Sequence, residues 1–213
     1  MDWQALIAAQ PAFEQIPLGL RRLAELQEIK AGQVLFRAGD QVRSVITVIS
    51  GELRVIRRDH NGAEIILQRS RGGFIAEASL SSKAYHCDVV AAENGTVLAF
   101  PVRAFRTALD EHAIFRDAWM AQLASEVRKL RAQCERLSLH GAADRIIHYI
   151  ESEGSAGEVV LSHSRKAWAA ELGLSHEALY RALARLKAEG VLRVDGKLIT
   201  IARAKQPVRS RRV

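Results

Sequence analysis

Apolar and polar positions along this chain fall into stretches of different rhythm. Between Pro17 and Leu26 the leucines Leu18, Leu20, Leu23 and Leu26 keep helical spacing. From Gly32 to Pro101 the pattern breaks into short β-like runs: Val34–Phe36, Val45–Ile49, Leu53–Ile56, Glu64–Gln68, Val89–Ala92 and Val97–Phe100. Turn residues separate them, among them Ser50-Gly51-Glu52, His60-Asn61-Gly62 and Glu93-Asn94-Gly95. Asn-Gly pairs tolerate positive φ and so close tight turns. Several short strands at this spacing predict an antiparallel roll or barrel, jelly-roll-like in outline.

After Pro101 the rhythm becomes helical, and neither Pro nor Gly interrupts it before Gly141. Within it Leu123, Val127, Leu130, Cys134 and Leu137 repeat at alternating steps of four and three, with Trp119 one step upstream. That is the a/d seam of two paired helices, hence a homodimer interface. The plainer reading packs the stripe on the protein's own roll, and both hold if the helix lies on the roll at its start and on a twin further along. A break at Ser138–Ala143 follows, with Asp144 placed to cap a helix through Ile146, Ile147 and Ile150 that stops at Gly154 and Gly157.

The stretch from Arg165 to Leu192 carries the most specific signal. A short helix, about Arg165 to Leu172, ends at Gly173; Ser175 caps a second helix running to about Glu189; Gly190 stands just past its end. At 100° per residue Leu179, Ala182, Leu183 and Leu186 share one side, and Glu177, Tyr180, Arg181, Ala184 and Arg185 the other. One side packs and the other is free to read DNA. Glu177 and Arg181 stand near the N-terminal end, where a recognition helix meets base edges, with Tyr180 beside them. A carboxylate accepts from cytosine N4 and a guanidinium donates to guanine O6 and N7. Taken alone, the pair is an ordinary exposed Glu–Arg pair. Helix, glycine turn, capped helix and the hairpin after it (Val191–Val194, Asp195-Gly196, Lys197–Ile201) make a winged helix-turn-helix. Arg165, Lys166, Ser175, His176, Arg185 and Lys197 are candidate phosphate contacts.

The pattern therefore predicts an α+β chain. Residues 1–110 form a sensor roll with flanking helices, 111–140 a dimerisation helix and hinge, 141–202 the DNA-binding module, and 203–213 a basic tail. A chain of 213 residues that is 48% hydrophobic and 26% charged is globular in composition. Its apolar runs stop far short of the roughly 20 residues needed to span a bilayer, and no signal peptide opens it, which predicts a cytoplasmic protein. The formal net charge is +7. After Gly141 thirteen Lys/Arg stand against eight Asp/Glu, so most of the excess lies with the reading module. Cys87 and Cys134 are too few for a disulfide framework and lack metal-ligand spacing. The histidines show no metal spacing either, and no Gly-x-Ser-x-Gly elbow or Walker loop points to an enzyme.

In the order of its parts the chain resembles the CRP/FNR family of bacterial transcription regulators over nearly its whole length. The carriers are GQVLFRAGD (Gly32–Asp40), VITVISGELRVI (Val45–Ile56) and GGFIAEASL (Gly72–Leu80) in the roll, and SHEALYRAL from Ser175 in the reading helix. The resemblance implies a cyclic-nucleotide-binding fold, double-stranded DNA with an inverted-repeat site as partner, a homodimer, and contact with RNA polymerase. By that likeness Glu177 and Arg181 read a half-site; Tyr180 stands where one branch has Ser.

The effector cassette departs from the family. Glu77 is kept, but Ala76 replaces a Gly, and the Arg-Ser or Arg-Thr position holds His86-Cys87 followed by Asp88. Without the arginine, and with a carboxylate adjacent, a cyclic phosphate is poorly matched, which predicts no tight cyclic AMP binding. No cysteine precedes Cys87, so the N-terminal cluster of the oxygen-sensing branch has no counterpart. The expected effector pocket draws on Glu77, His86, Cys87, Leu130, Arg131 and Cys134. No cofactor is required by the sequence; His86 and Cys87 are residue types that ligate haem or respond to oxidants, and the plainer reading makes Cys87 a small buried strand residue with His86 its exposed neighbour. Two other readings stay open: a constitutive binder, and a regulatory subunit whose helix-turn-helix makes protein contacts.

Overall fold

Asp2 starts the first helix, its carboxylate accepting from the backbone N–H of Gln4 (3.0 Å) and Ala5 (3.1 Å), which satisfies donors that a helix start leaves open. The computed structural model describes residues 1–62, 64–75, 77–161 and 164–202, and the chain forms two compact units that divide between Leu123 and Ala124.

In the first unit, α1 (Trp3–Ala9) and α2 (Leu18–Arg22) precede eight strands: β1 (Glu25–Ile29), β2 (Val34–Phe36), β3 (Ser44–Ser50), β4 (Leu53–Arg58), β5 (Glu64–Ser70), β6 (Phe74–Ile75), β7 (Asp88–Ala91) and β8 (Gly95–Pro101). They form two antiparallel sheets, ordered β1-β8-β3-β6 and β2-β7-β4-β5. Facing side chains such as Val45, Val48, Leu53, Val89, Val97, Leu98 and Phe100 fill the core between them. The Ser50–Gly51 and Asn94–Gly95 turns cross so closely that a Cβ on either glycine would strike the other turn's backbone, and Gly51 has φ +84°. Both positions therefore require glycine.

The helical spacing from Leu18 to Leu26 is only half correct. Helix α2 stops at Arg22, and Leu26 belongs to β1. Leu18, Leu23 and Leu26 are exposed, so no buried face prolongs the helix, and β1 is held instead by backbone pairing with β8. Helix α3 (Val102–Glu111) and the first turns of α4 (Ala113–Ser138) then close an aromatic cluster. Phe105 meets Phe74, Phe115 and Trp119 edge-on at 5.5, 5.3 and 4.9 Å between ring centroids. Trp119, placed by its spacing with the seam, is buried in the roll's own core, because that aromatic pocket takes the indole; Leu123 packs on the same cluster.

The second unit holds the rest of α4, then α5 (Ala142–Glu153), β9 (Glu158–Val160), α6 (Arg165–Glu171), α7 (His176–Ala188), β10 (Leu192–Asp195) and β11 (Leu198–Ile201). Ile146, Ile150, Trp168, Leu172, Leu179, Leu183, Leu186, Leu192 and Ile199 form its core. Asp144 does not cap α5: Gly141 is the N-cap residue and Asp144 lies in the first turn, where its negative charge still suits the helix dipole. Along the exposed part of α4, Val127, Leu130 and Leu137 stay open to solvent, as does Cys134.

Candidate nucleic-acid interface

Helix α6 and helix α7 both start on a serine. Ser164 Oγ accepts from the Ala167 N–H (3.2 Å) and Ser175 Oγ from the Ala178 N–H (3.1 Å). Both helices also end alike. The Leu174 N–H returns to the Ala169 carbonyl and the Gly173 N–H to Ala170; at the end of α7, Val191 returns to Leu186 and Gly190 to Lys187. Gly173 and Gly190 have φ of +63° and +71°, so each chain reversal takes the left-handed residue that closes a helix. The turn into α7 is thus fixed at both ends by local chemistry.

On α7 the inward residues Leu179, Ala182, Leu183 and Leu186 are buried, while Glu177, Tyr180, Arg181, Ala184 and Arg185 are exposed. Among the described residues Glu177 and Arg181 form no ion pair with each other, which leaves both heads free for an outside partner. His176 tilts against the Tyr180 ring at 4.6 Å. Arg185 is engaged at 3.7 Å with Glu189, an exposed pair worth only tenths of a kcal/mol and easily surrendered to a phosphate.

Strands β10 and β11 form the wing, and β9, which the hydrophobic pattern does not announce, extends it on the far side of β11. Register pairs Asp195 with Leu198, so the turn is Gly196-Lys197 rather than Asp195-Gly196. Gly196 takes positive φ and Lys197 does not, the pattern of a hairpin turn with glycine first. Lys166 and Lys197 are exposed. Arg165 is instead turned onto the wing, its guanidinium donating to the Gly196 carbonyl at 3.0 Å. The basic tail 203–213 lies outside the described residues.

The candidate effector residues of the roll come together around β7. Glu77 lies half-buried in a 3₁₀ turn, Glu77–Ser79, while Ala76 is outside the described residues. The exposed His86 sets its Nδ1 2.7 Å from Ser79 Oγ, and its carbonyl accepts from Arg57 Nε at 3.2 Å. Cys87 is buried. Burial pushes its thiol up, outweighing the Arg57 guanidinium beside it. Asp88 accepts from the Ala38 N–H (2.8 Å) and from Arg58 (2.6 Å), so its charge is already matched. The expected mismatch with a cyclic phosphate therefore turns on the His86-Cys87 pair and not on Asp88. Arg57 is the residue that sequence reasoning misses here, because an arginine on an exposed strand end gives no signal. Leu130, Arg131 and Cys134 lie on the part of α4 that belongs to the second unit and are exposed.

A raised thiol pKa makes Cys87 a slow nucleophile at neutral pH, since only the thiolate reacts. Iodoacetamide at pH 7.5 is expected to label Cys87 in the folded protein at least about tenfold more slowly than in the urea-unfolded protein, where burial no longer acts on it. Mass mapping of the Cys87 peptide over time in both states checks this, and the folded-state rate should climb with pH beyond the range where an unperturbed thiol levels off. Equal rates at pH 7.5 would rule out the burial argument.

A β-roll followed by a winged helix-turn-helix with an open reading face defines a DNA-binding transcription regulator. Residues 26–112 match the family Cyclic nucleotide-binding domain, and residues 142–206 match the family Crp-like helix-turn-helix domain. The chain belongs to the CRP/FNR family of transcription regulators. It is 27% identical over 182 residues to the anaerobic regulatory protein of Pasteurella multocida (strain Pm70), covering 81% of this chain and 67% of that protein. It is 26% identical over 182 residues to the fumarate and nitrate reduction regulatory protein of Escherichia coli (strain K12), covering 81% and 73%. Among solved structures, FixK2 from Bradyrhizobium japonicum shares the fold with a TM-score of 0.64 at 21% identity, over 86% of this chain and 94% of that one. No described helix is long and apolar enough to cross a membrane.

Proposed function

We propose that this chain acts as a homodimer on an inverted-repeat DNA site, with Glu177, Tyr180 and Arg181 of α7 at the base edges. The observation that carries the reading is α7: a serine-capped helix that presents Glu177, Tyr180 and Arg181 to solvent near its start while Leu179, Ala182, Leu183 and Leu186 are buried on its other side. Lys166, Ser175, His176, Arg185 and Lys197 serve the phosphates, which makes the complex strongly salt-dependent. The open Val127, Leu130 and Leu137 edge of α4 supports pairing with a second copy, and two-fold symmetry then places two reading helices about 34 Å apart, one turn of DNA. Such a regulator works in the cytoplasm and meets RNA polymerase at the promoter.

The roll is the sensor, for an effector other than cyclic AMP, given His86-Cys87 in the cassette, or else the protein binds constitutively. Residues 1–110, 111–140, 141–202 and 203–213 then divide the labour as roll, linking helix, reader and phosphate-seeking tail. Selection of bound duplexes from a random pool, with and without haem, nucleotides or peroxide, tests this. The expected product is an inverted repeat, bound by a particle of twice the 23.6 kDa chain mass. Enrichment of no motif would sink the DNA reading, and enrichment independent of every additive would favour constitutive binding.

A further inference from the structure

The break between α4 and α5 is bridged by one side chain. Arg145, on the first turn of α5, donates from Nε to the Leu139 carbonyl (2.8 Å) and from one terminal nitrogen to Leu137 (3.2 Å). Its other terminal nitrogen donates to the carbonyls of Leu172 and Gly173, both at 3.1 Å. Leu137 and Leu139 flank the end of α4, and Leu172 and Gly173 close α6 just before the reading helix. These carbonyls are the acceptors that helix C-termini leave unpaired, and a cation is favoured there by the helix dipole. The flat guanidinium fork reaches four acceptors at once, which an ammonium on a single point cannot.

A second observation locates the same joint. Gly173 has φ +63°, and a Cβ there would lie 2.8 Å from Leu137 Cδ2 and 3.0 Å from an Arg145 terminal nitrogen. The end of α4 therefore presses against the backbone of the helix-turn-helix turn. Directly before Leu137, Arg136 is buried, bonded to Ser152 (3.0 Å) and Glu153 (2.8 Å) with its guanidinium 4.6 Å over the Tyr149 ring. Both sides of the break are thus tied to the reading module.

We infer that Arg145 is a positioning residue that sets the angle at which α4 leaves the DNA-reading module. This rests on the proposed dimer: if α4 carries the partner seam, that angle fixes the separation of the two reading helices and hence the spacer between half-sites. Arg145 touches no base in this scheme.

The test uses the full-length protein and duplexes carrying the selected inverted repeat, the same half-sites with the spacer one base pair longer or shorter, and a single half-site. Arg145→Gln is expected to flatten the spacer preference by about tenfold or more, the scale of losing one or two charge-assisted hydrogen bonds, while single half-site affinity stays within about twofold. Arg145→Lys, which keeps the charge and loses the fork, is expected to behave like Arg145→Gln and serves if the glutamine variant fails to fold. Either folded variant retaining the wild-type spacer profile overturns the inference, as does loss of single half-site binding in proportion or unfolding of both variants. A wild-type protein that selects an inverted repeat but tolerates every spacer overturns it too and leaves the DNA reading intact; one that selects no repeat overturns both.

Discussion

Arg181→Ala is expected to erase most of the discrimination between the selected site and random DNA. A bidentate arginine–guanine contact is worth about 1–3 kcal/mol of base discrimination, and two-fold symmetry removes two of them at once, so the specific complex should weaken by roughly 30-fold to 10⁴-fold. The side chain is exposed on α7, holds no core contact and lies outside the cap, so folding should be untouched. Non-specific binding, set by the phosphate contacts, should change by only a few-fold. The salt slope is the diagnostic: losing a base reader lowers affinity at one sequence with the slope nearly unchanged, whereas losing a phosphate contact, the role proposed for Lys197, lowers it everywhere and reduces the slope. An Arg181→Ala protein that still prefers the site as strongly as wild type would remove Arg181 from the reading surface.

The largest expected effect on stability belongs to Trp168. Its side chain is fully buried in the second unit and meets Tyr149 edge-on at 5.5 Å. Trp168→Ala should cost about 3–5 kcal/mol, the usual range for emptying an aromatic core site. Single domains are stable by only about 5–15 kcal/mol. The reading module should then melt far earlier than before, while the roll, which has its own core, keeps its transition. Trp168→Phe provides the contrast. The indole N–H is buried without a partner among the described residues, so phenylalanine gives up volume but also removes an unsatisfied donor, and the cost should stay below about 1.5 kcal/mol. Urea unfolding followed by circular dichroism separates the two. An alanine variant within 1 kcal/mol of wild type would mean that the pocket closes over the gap.

What the sequence makes legible follows from how local the determining chemistry is. The reading module is almost wholly recoverable because serine caps, positive-φ glycines and a 3.6-residue apolar stripe each act within one turn of chain. Strands β2, β3, β4, β5, β7 and β8 are found as well, with ends off by no more than two residues, whereas the two-residue β6 is too short to show a rhythm. Strand β1 escapes because four of its five side chains are exposed and its identity comes from pairing with a strand some seventy residues away. Asp144 looks like a cap because the true N-cap, Gly141, bonds through no side chain. Arg136 and Arg145 carry no local signal in the sequence; only the fold shows one buried over a ring and the other bridging two helix ends. Trp119 keeps the seam's spacing but not its surroundings. The candidate effector residues are the least legible part, since Arg57 reaches His86 from an exposed strand end.

The burial of Trp119 gives the molecule built-in optical reporters. The chain has three tryptophans, and two of them sit in different cores, Trp119 in the roll and Trp168 in the reading module. Once Trp3 and Trp168 are both replaced by phenylalanine, the remaining emission is that of Trp119 and records the environment of the roll. An effector that entered the roll would then announce itself in the Trp119 band before any DNA was added, turning the search for the missing signal into a fluorescence titration.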